Sequence, residues 1–239
     1  MAKQTLKEKL AKRKKQLKEK SGGGGNVQFI KADTTMRVRV LPVGEDEEFA
    51  IEVTQFYLGG TIKGVYSNAT FGEACPIMEK YEKLKKSKKE ADKELAKLMV
   101  PKGKWLMPIV QFEDERGKKI SDRSPTLVQV TGGLYQEVID LYLDEDEWGD
   151  MTDPKNGYDL KFSRVGSTMT DTEYSVKPCK NTPTPKAFAK KIYNLEEMVG
   201  KVIPSYEEAK EKLDEFLHGA TDDVPSKKKK KKKKKKSDI

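Results

Sequence analysis

Apolar side chains recur at every second position over several short stretches of this chain and at every third or fourth over a few others. The first spacing is that of a strand with one buried face, the second that of an amphipathic helix. Val27 to Ile30 reads as a strand, and so does Thr35 to Pro42, where alternation puts Met36, Val38 and Val40 on one face and Arg37 and Arg39 on the other. Phe49 to Leu58 follows as a third strand, and the Gly59-Gly60 turn leads into Thr61 to Tyr66 to complete a hairpin. Three antiparallel strands in succession predict a β core.

The period then changes. From about Pro76 to Met99 the chain is rich in Lys, Glu, Leu and Ala, with Ile77, Tyr81, Leu84, Leu95 and Leu98 as its apolar positions, which predicts an inserted helix stopped by Pro101-Lys102-Gly103. Strands resume at Lys104 to Glu113 and Pro125 to Val130. Gly132 to Tyr142 predicts a short helix with Leu134, Val138, Ile139 and Tyr142 on one side, and Tyr158 to Val165 with Glu173 to Lys177 a last hairpin. Pro204 and Ser205 open a final helix whose core face is Tyr206, Ala209, Leu213, Phe216 and Leu217, and Gly219 is placed to end it. This order predicts a fold that is mainly β with α additions. A five-stranded Greek-key barrel of the OB type accommodates it, because the loops of such a barrel tolerate long insertions.

Charge divides the chain further. Residues 1 to 20 hold nine Lys and Arg against two acids, and Ser21 to Gly25 is a flexible linker; ten consecutive lysines, Lys227 to Lys236, lie near the other end. Between them, residues 21 to 226 carry 29 basic and 36 acidic side chains, so the net charge of +9 comes from the two ends around a mildly acidic body. The expected organisation is a basic arm and linker over 1–25, a core over 26–220 with its insertion at about 76–99, and a disordered poly-lysine tail over 221–239.

Composition excludes several chemistries. The single histidine, His218, leaves a two-histidine metal site impossible and any histidine-based triad dependent on that one residue. No Walker A loop, dinucleotide glycine fingerprint or HExxH is present. Asp144-Glu145-Asp146-Glu147 reads as a solvated acidic loop, since consecutive acids point in different directions. The expectation is a protein that is not an enzyme, with no metal and no cofactor. No apolar run is long enough to span a bilayer, and the basic N-terminal segment lacks the apolar stretch of a signal peptide, so a cytoplasmic location is expected, with Cys75 and Cys179 as reduced thiols.

What remains is a pattern of exposed cations beside aromatics along the strands. A groove for single-stranded nucleic acid needs both, cations for phosphates and π-faces for unpaired bases. The candidates are Arg37, Arg39, Tyr57, Lys63, Tyr66, Lys104, Trp105, Tyr158, Lys161 and Arg164. Each aromatic among them competes with an alternative role in the core of a β protein.

Several segments, in this order, resemble the single-stranded DNA-binding proteins of tailed phages, the T-even type helix-destabilising family. They are the basic arm with Ala11-Lys12-Arg13-Lys14-Lys15, MRVRVLP from Met36, CPIMEKYEKL from Cys75, KWLMPIVQF from Lys104, GLYQEVIDL from Gly133, GYDLKFSRVG from Gly157, TEYSVKP from Thr172 and PSYEEAKEKLDEFL from Pro204. The resemblance covers most of residues 5 to 220. It implies an OB-fold core that binds single-stranded DNA cooperatively and without marked sequence preference in phage replication, recombination and repair, inside the host cytoplasm. Trp105 and Tyr158 fall at the family's cleft aromatics, and Arg37 and Arg39 are carried over as cleft cations. The arm, through Lys12, Arg13, Lys14 and Lys15, is implied to reach neighbouring protomers along the strand, and phage replication and recombination proteins are implied partners.

Two departures stand out. Cys75 keeps only the first cysteine of the zinc motif found in some members, so no structural zinc is expected and apolar packing of the inserted helix should replace it. The run Lys227 to Lys236 also stands where the resemblance implies an acidic segment, so an acidic-tail switch is not expected. The alternative reading is an assembly module whose basic ends bind RNA, an acidic protein or an anionic surface.

Overall fold

The computed structural model describes residues 27–44, 47–59, 64–114, 116–121, 123–168 and 171–222. The basic arm, Lys63 and the lysine run lie outside them. Eight strands form one mixed sheet: β1 (Val27–Phe29), β2 (Thr34–Val40), β3 (Ile51–Phe56), β4 (Val65–Tyr66), β5 (Lys102–Glu113), β6 (Pro125–Val130), β7 (Tyr158–Val165) and β8 (Glu173–Asn181). The fold is mainly β with helical additions around an OB-like core, and its eight strands fall at the eight segments read as strands from the sequence.

β5 organises the sheet. Its 12 residues pair along one edge with β6 and along the other with two partners in turn, β3 against Lys102 to Leu106 and β2 against Ile109 to Glu113. The main path runs β1-β6-β5-β2-β7-β8. The first three strands are therefore not a consecutive antiparallel set: β2 and β3 meet only through β5, and β1 pairs in parallel with β6. The hairpin expected after Gly59-Gly60 does form, with Gln55 opposite Tyr66 and Phe56 opposite Val65, although β4 is only two residues long.

Period-two alternation sorts the strands into an inner and an outer face. Met36, Val38 and Val40 of β2, Met107 and Ile109 of β5, Val128 and Val130 of β6 and Leu160 and Phe162 of β7 fill the inner core. Helix α3 (Gly132–Leu143) closes it with Leu134, Tyr135 and Val138, started by Thr131, whose hydroxyl accepts from the Leu134 N–H at 3.3 Å.

The outer face is covered by the other helices. The insertion is a pair, α1 (Pro76–Lys85) and α2 (Glu90–Leu98), where a single helix was expected; the chain breaks helical geometry at 86–89. Ile77, Leu84, Ala96 and Met99 pack on Phe56, Leu58 and Val65 and on Leu213 and Phe216 of α5 (Tyr206–Asp222). Cys75 lies in this cluster as a small apolar side chain, 3% exposed. Ser205 starts α5 with a capping box: its hydroxyl accepts from the Glu208 N–H and Glu208 Oε2 accepts from the Ser205 N–H at 2.8 Å. Gly219 does not end the helix, which runs on to Asp222. A short helix absent from the sequence reading, α4 (Leu195–Gly200), seats Leu195 and Val199 on Val53, Leu106 and Leu127.

Candidate nucleic-acid interface

Lys102 and Lys104 face outward from β5. The register places Lys102 opposite Gln55 and Lys104 opposite Val53 on β3, so both share the face of Tyr57 and Tyr66. The Lys102 ammonium lies over the Tyr57 ring, 5.6 Å from its centroid. On the next strand, Leu106 pairs with Gln129, and Gln129 with Phe29 of β1. Tyr66 donates its hydroxyl hydrogen to Gln129 Oε1 at 2.6 Å, and Gln129 also hydrogen-bonds Tyr57. One amide thus fixes two tyrosines.

Beside Lys102, Tyr57 and Tyr66 open into a groove of about 460 Å³, walled on the sheet side by these rings and Phe29 and on the other by Val202, Pro204 and Lys212 of the α4–α5 connection and α5. Tyr57 and Phe29 are exposed, at 44% and 51%, although both are large and apolar. Neither Lys102 nor Lys104 has an ion-pair partner among the described residues. Burial, and then the charge of Lys102, lowers the pKa of Lys104 below its ordinary value. Burial pushes the phenols of Tyr57 and Tyr66 up, so both stay neutral and Tyr66 remains a donor. A half-buried Lys104 and an exposed Lys102, neither with a counter-charge among the described residues, beside exposed rings form a surface that gains from an anion with a flat, apolar attachment.

Trp105 falls on the other face. As the neighbour of Lys104 in an extended strand it must point the opposite way, and its ring stacks on Tyr135 at 4.3 Å between centroids. Phe49 packs edge-on against Tyr135 at 5.6 Å and touches Tyr142 at 5.5 Å, giving an aromatic row in acidic company: Glu48 beside Tyr135, Asp150 and Glu145 beside Tyr142. Such surroundings repel phosphates.

Two further candidates are interior. Tyr158 is fully buried in the inner core, its hydroxyl donating to the carbonyls of Leu141 and Gly149 and its ring edge-on to Trp148 at 5.3 Å. Arg39 is 1% exposed; its Nε donates to Asp159 Oδ1 at 2.7 Å, and the rest of its fork goes to Thr184 Oγ1 and the Thr182 carbonyl. Neither side chain presents a surface to a strand. Arg37 is partly exposed but engaged, with Nη2 2.8 Å from Asp159 Oδ2 and Nη1 3.4 Å from Glu113 Oε1. Lys161 is exposed on β7 beside Arg37 and Lys177, away from the groove residues. Arg164 sits over Tyr174 at 5.7 Å and donates to the Ile30 carbonyl, one residue beyond β1 and its groove residue Phe29.

A family model described as gp32 DNA binding protein like matches residues 32–217. The chain belongs to this DNA-binding family. No individual curated protein matches it. Within this gp32-like domain the groove presents exposed cations and aromatics, Trp105 is stacked and partly exposed, and Tyr158 and Arg39 are buried. Among the described residues no group of three His, Cys, Asp or Glu side chains could hold a metal, and no helix is long and apolar enough to cross a membrane.

Sequence reasoning missed Lys102, Gln129 and Phe29. Lys102 is hidden in the Pro-Lys-Gly segment that reads as the stop of the inserted helix. Gln129 and Phe29 have no local signal at all, because only the β1–β6–β5 register brings them beside Tyr57 and Tyr66. Lys63 and the arm residues Lys12, Arg13, Lys14 and Lys15 lie outside the described residues.

Proposed function

We propose that this protein is a non-catalytic binder of single-stranded DNA, largely indifferent to sequence, that covers and organises strands during phage DNA replication, recombination and repair in the host cytoplasm. The observation that carries the reading is the outer face beside the groove, where Lys102 lies over the exposed ring of Tyr57 and Lys104 shares the same face, neither with an ion-pair partner among the described residues. Phosphates track along the lysines and bases stack on the rings, neither of which asks for a particular base. A duplex keeps its bases stacked inside and cannot use the rings.

Around this site we place Arg164 as a flanking cation and Lys63 as a further cation of the β3–β4 hairpin. The basic arm, through Lys12 to Lys15, engages a neighbouring protomer on the same strand and makes binding cooperative. Replication and recombination proteins of the phage are the partners this role calls for. The lysine run Lys227 to Lys236 adds non-specific attraction to any nucleic acid.

Titration of the full chain with poly(dT) and with a duplex of equal length, over a series of salt concentrations, tests the reading. The expected result is tight, salt-sensitive binding of poly(dT) that persists when Lys227 to Lys236 are deleted. Failure to bind poly(dT) in about 50 mM salt overturns it. Binding that vanishes with the basic ends, and is equal for strand and duplex, points instead to an assembly module acting through those ends.

A further inference from the structure

The face around Phe49 and Tyr142 has the opposite character from the groove. Phe49 packs on Tyr135 and Tyr142, and this contact joins two stretches far apart in sequence, the loop that ends at Glu48 and the end of α3 with the turn after it. Both stretches lack cations: no Lys or Arg occurs over residues 40–62 or 124–154, which hold five and eight acids. Glu48, Asp144, Glu145, Glu147 and Asp150 are exposed, and none has an ion-pair partner among the described residues. The surface they rim is apolar. Tyr142 is 36% and Leu143 67% exposed, beside the partly exposed Phe49 and Trp148.

An apolar surface fenced by unpaired carboxylates fits side chains that join an apolar stem to a cation. Lysine is such a side chain: its methylenes cover apolar surface while the ammonium reaches the rim, and an ammonium over a ring is itself attracted. One segment of the chain supplies lysines without interruption. Lys227 to Lys236 holds ten cations and no acid, whereas the arm mixes its cations with Glu8 and Glu19. The run is also tethered to the body, since α5 ends at Asp222. The 14 residues from there to Lys236 span up to roughly 46 Å at about 3.3 Å each. A domain of about 190 residues has a radius of gyration of roughly 16 Å, so the run can reach any side of its own body.

We propose that Lys227 to Lys236 docks on this acid-rimmed aromatic face of its own chain and is released from it by nucleic acid, whose phosphates compete for the same cations. While docked, the run is withheld from duplex. Once displaced by a denser line of charge, it adds its attraction to the complex. This regulation goes beyond the strand-binding reading and does not depend on it.

Carbodiimide cross-linking of the full chain, which joins a lysine amine to a carboxylate in contact with it, reads the docking directly. In about 20 mM salt the monomer is expected to carry links from the run to Glu48 and to acids of 144–150, mapped by peptide mass spectrometry. They should be lost on adding duplex DNA, and at about 1 M salt, where charges are screened beyond about 3 Å. The absence of such links overturns the proposal, as do links that fall mainly on acids nearer the tether, such as Glu211 and Asp214. Links to this face from the arm lysines, or only between two chains, overturn it too, because another occupant then holds the face.

A second measurement uses Glu48→Gln, Glu145→Gln and Glu147→Gln together, none of whose side chains makes a hydrogen bond among the described residues. This variant is expected to bind duplex about tenfold more tightly than the unaltered chain. The gain should vanish when the ten lysines are replaced by glutamine in both chains. An equal gain with and without the run means that the acids act on the duplex directly, and the docking falls. Neither measurement uses single-stranded DNA, so a failure of the strand-binding reading shows separately, in the poly(dT) titration.

Discussion

Arg39 and Asp159 form an ion pair inside the protein, Nε to Oδ1 2.7 Å, with side chains 1% and 5% exposed. The remaining guanidinium donors reach Thr184 and the Thr182 carbonyl, so the pair also pins the segment after β8 to β2. The second carboxylate oxygen of Asp159 takes Arg37. One acid thus balances two arginines.

Asp159→Ala leaves Arg39 buried without a counter-charge and is expected to lower stability by about 3–5 kcal/mol, read from urea denaturation. Arg39→Lys is expected to destabilise as well, since an ammonium cannot reproduce a fork that serves an acid, a hydroxyl and a carbonyl at once. Strand affinity measured well below the unfolding midpoint should be unchanged in Arg39→Lys. A large affinity loss in that folded variant would return Arg39 to the binding surface.

Removing Lys102 or Lys104 is expected to act on binding rather than on the fold. Each substitution by Gln should weaken affinity for poly(dT) and reduce the slope of log K against log salt by about 0.7 for each phosphate that is no longer neutralised. Urea midpoints of the variants should match that of the unaltered chain.

Lys104 also predicts a pH dependence. Its pKa is lowered by burial and by Lys102, and the protonated form is the one that holds a phosphate. Affinity should therefore be full at neutral pH and fall as pH rises, beginning below the ordinary lysine value of 10.5. Lys104→Arg keeps its charge throughout and should flatten the profile. An unaltered alkaline decline in that variant would place the titrating group elsewhere.

Tyr57→Ala removes an exposed ring and the surface over which Lys102 lies. Affinity for poly(dT) is expected to fall roughly 5- to 150-fold, the worth of one stacked base. Tyr57→Phe should retain most of it, because the face and not the hydroxyl does the stacking. Fluorescence anisotropy of a labelled oligonucleotide distinguishes the two.

The strands were legible where alternation was clean. Pro125–Val130 and Tyr158–Val165 have the bounds read from their pattern, and the inward set Met36, Val38 and Val40 is buried as expected. Alternation also separates Lys104 from Trp105, which as neighbours in a strand point to opposite faces. The burial of Arg39 was not legible, because the acid that neutralises it stands 120 positions away. Tyr158 could be read for either face, since a bulge between Tyr158 and Leu160 interrupts the pairing with β8. The helix Leu195–Gly200 is too short at six residues for its periodicity to register.

β1 has only three residues, pairs with β6 in the sheet and follows closely in sequence on the linker of the basic arm. Val27 and Phe29 are at once the root of that arm and a wall of the groove. On the function proposed above, whatever grips the arm acts close in sequence to a wall of the groove. If the arm engages a neighbouring protomer as proposed, the load shared along a strand reaches each molecule at the wall of its own groove.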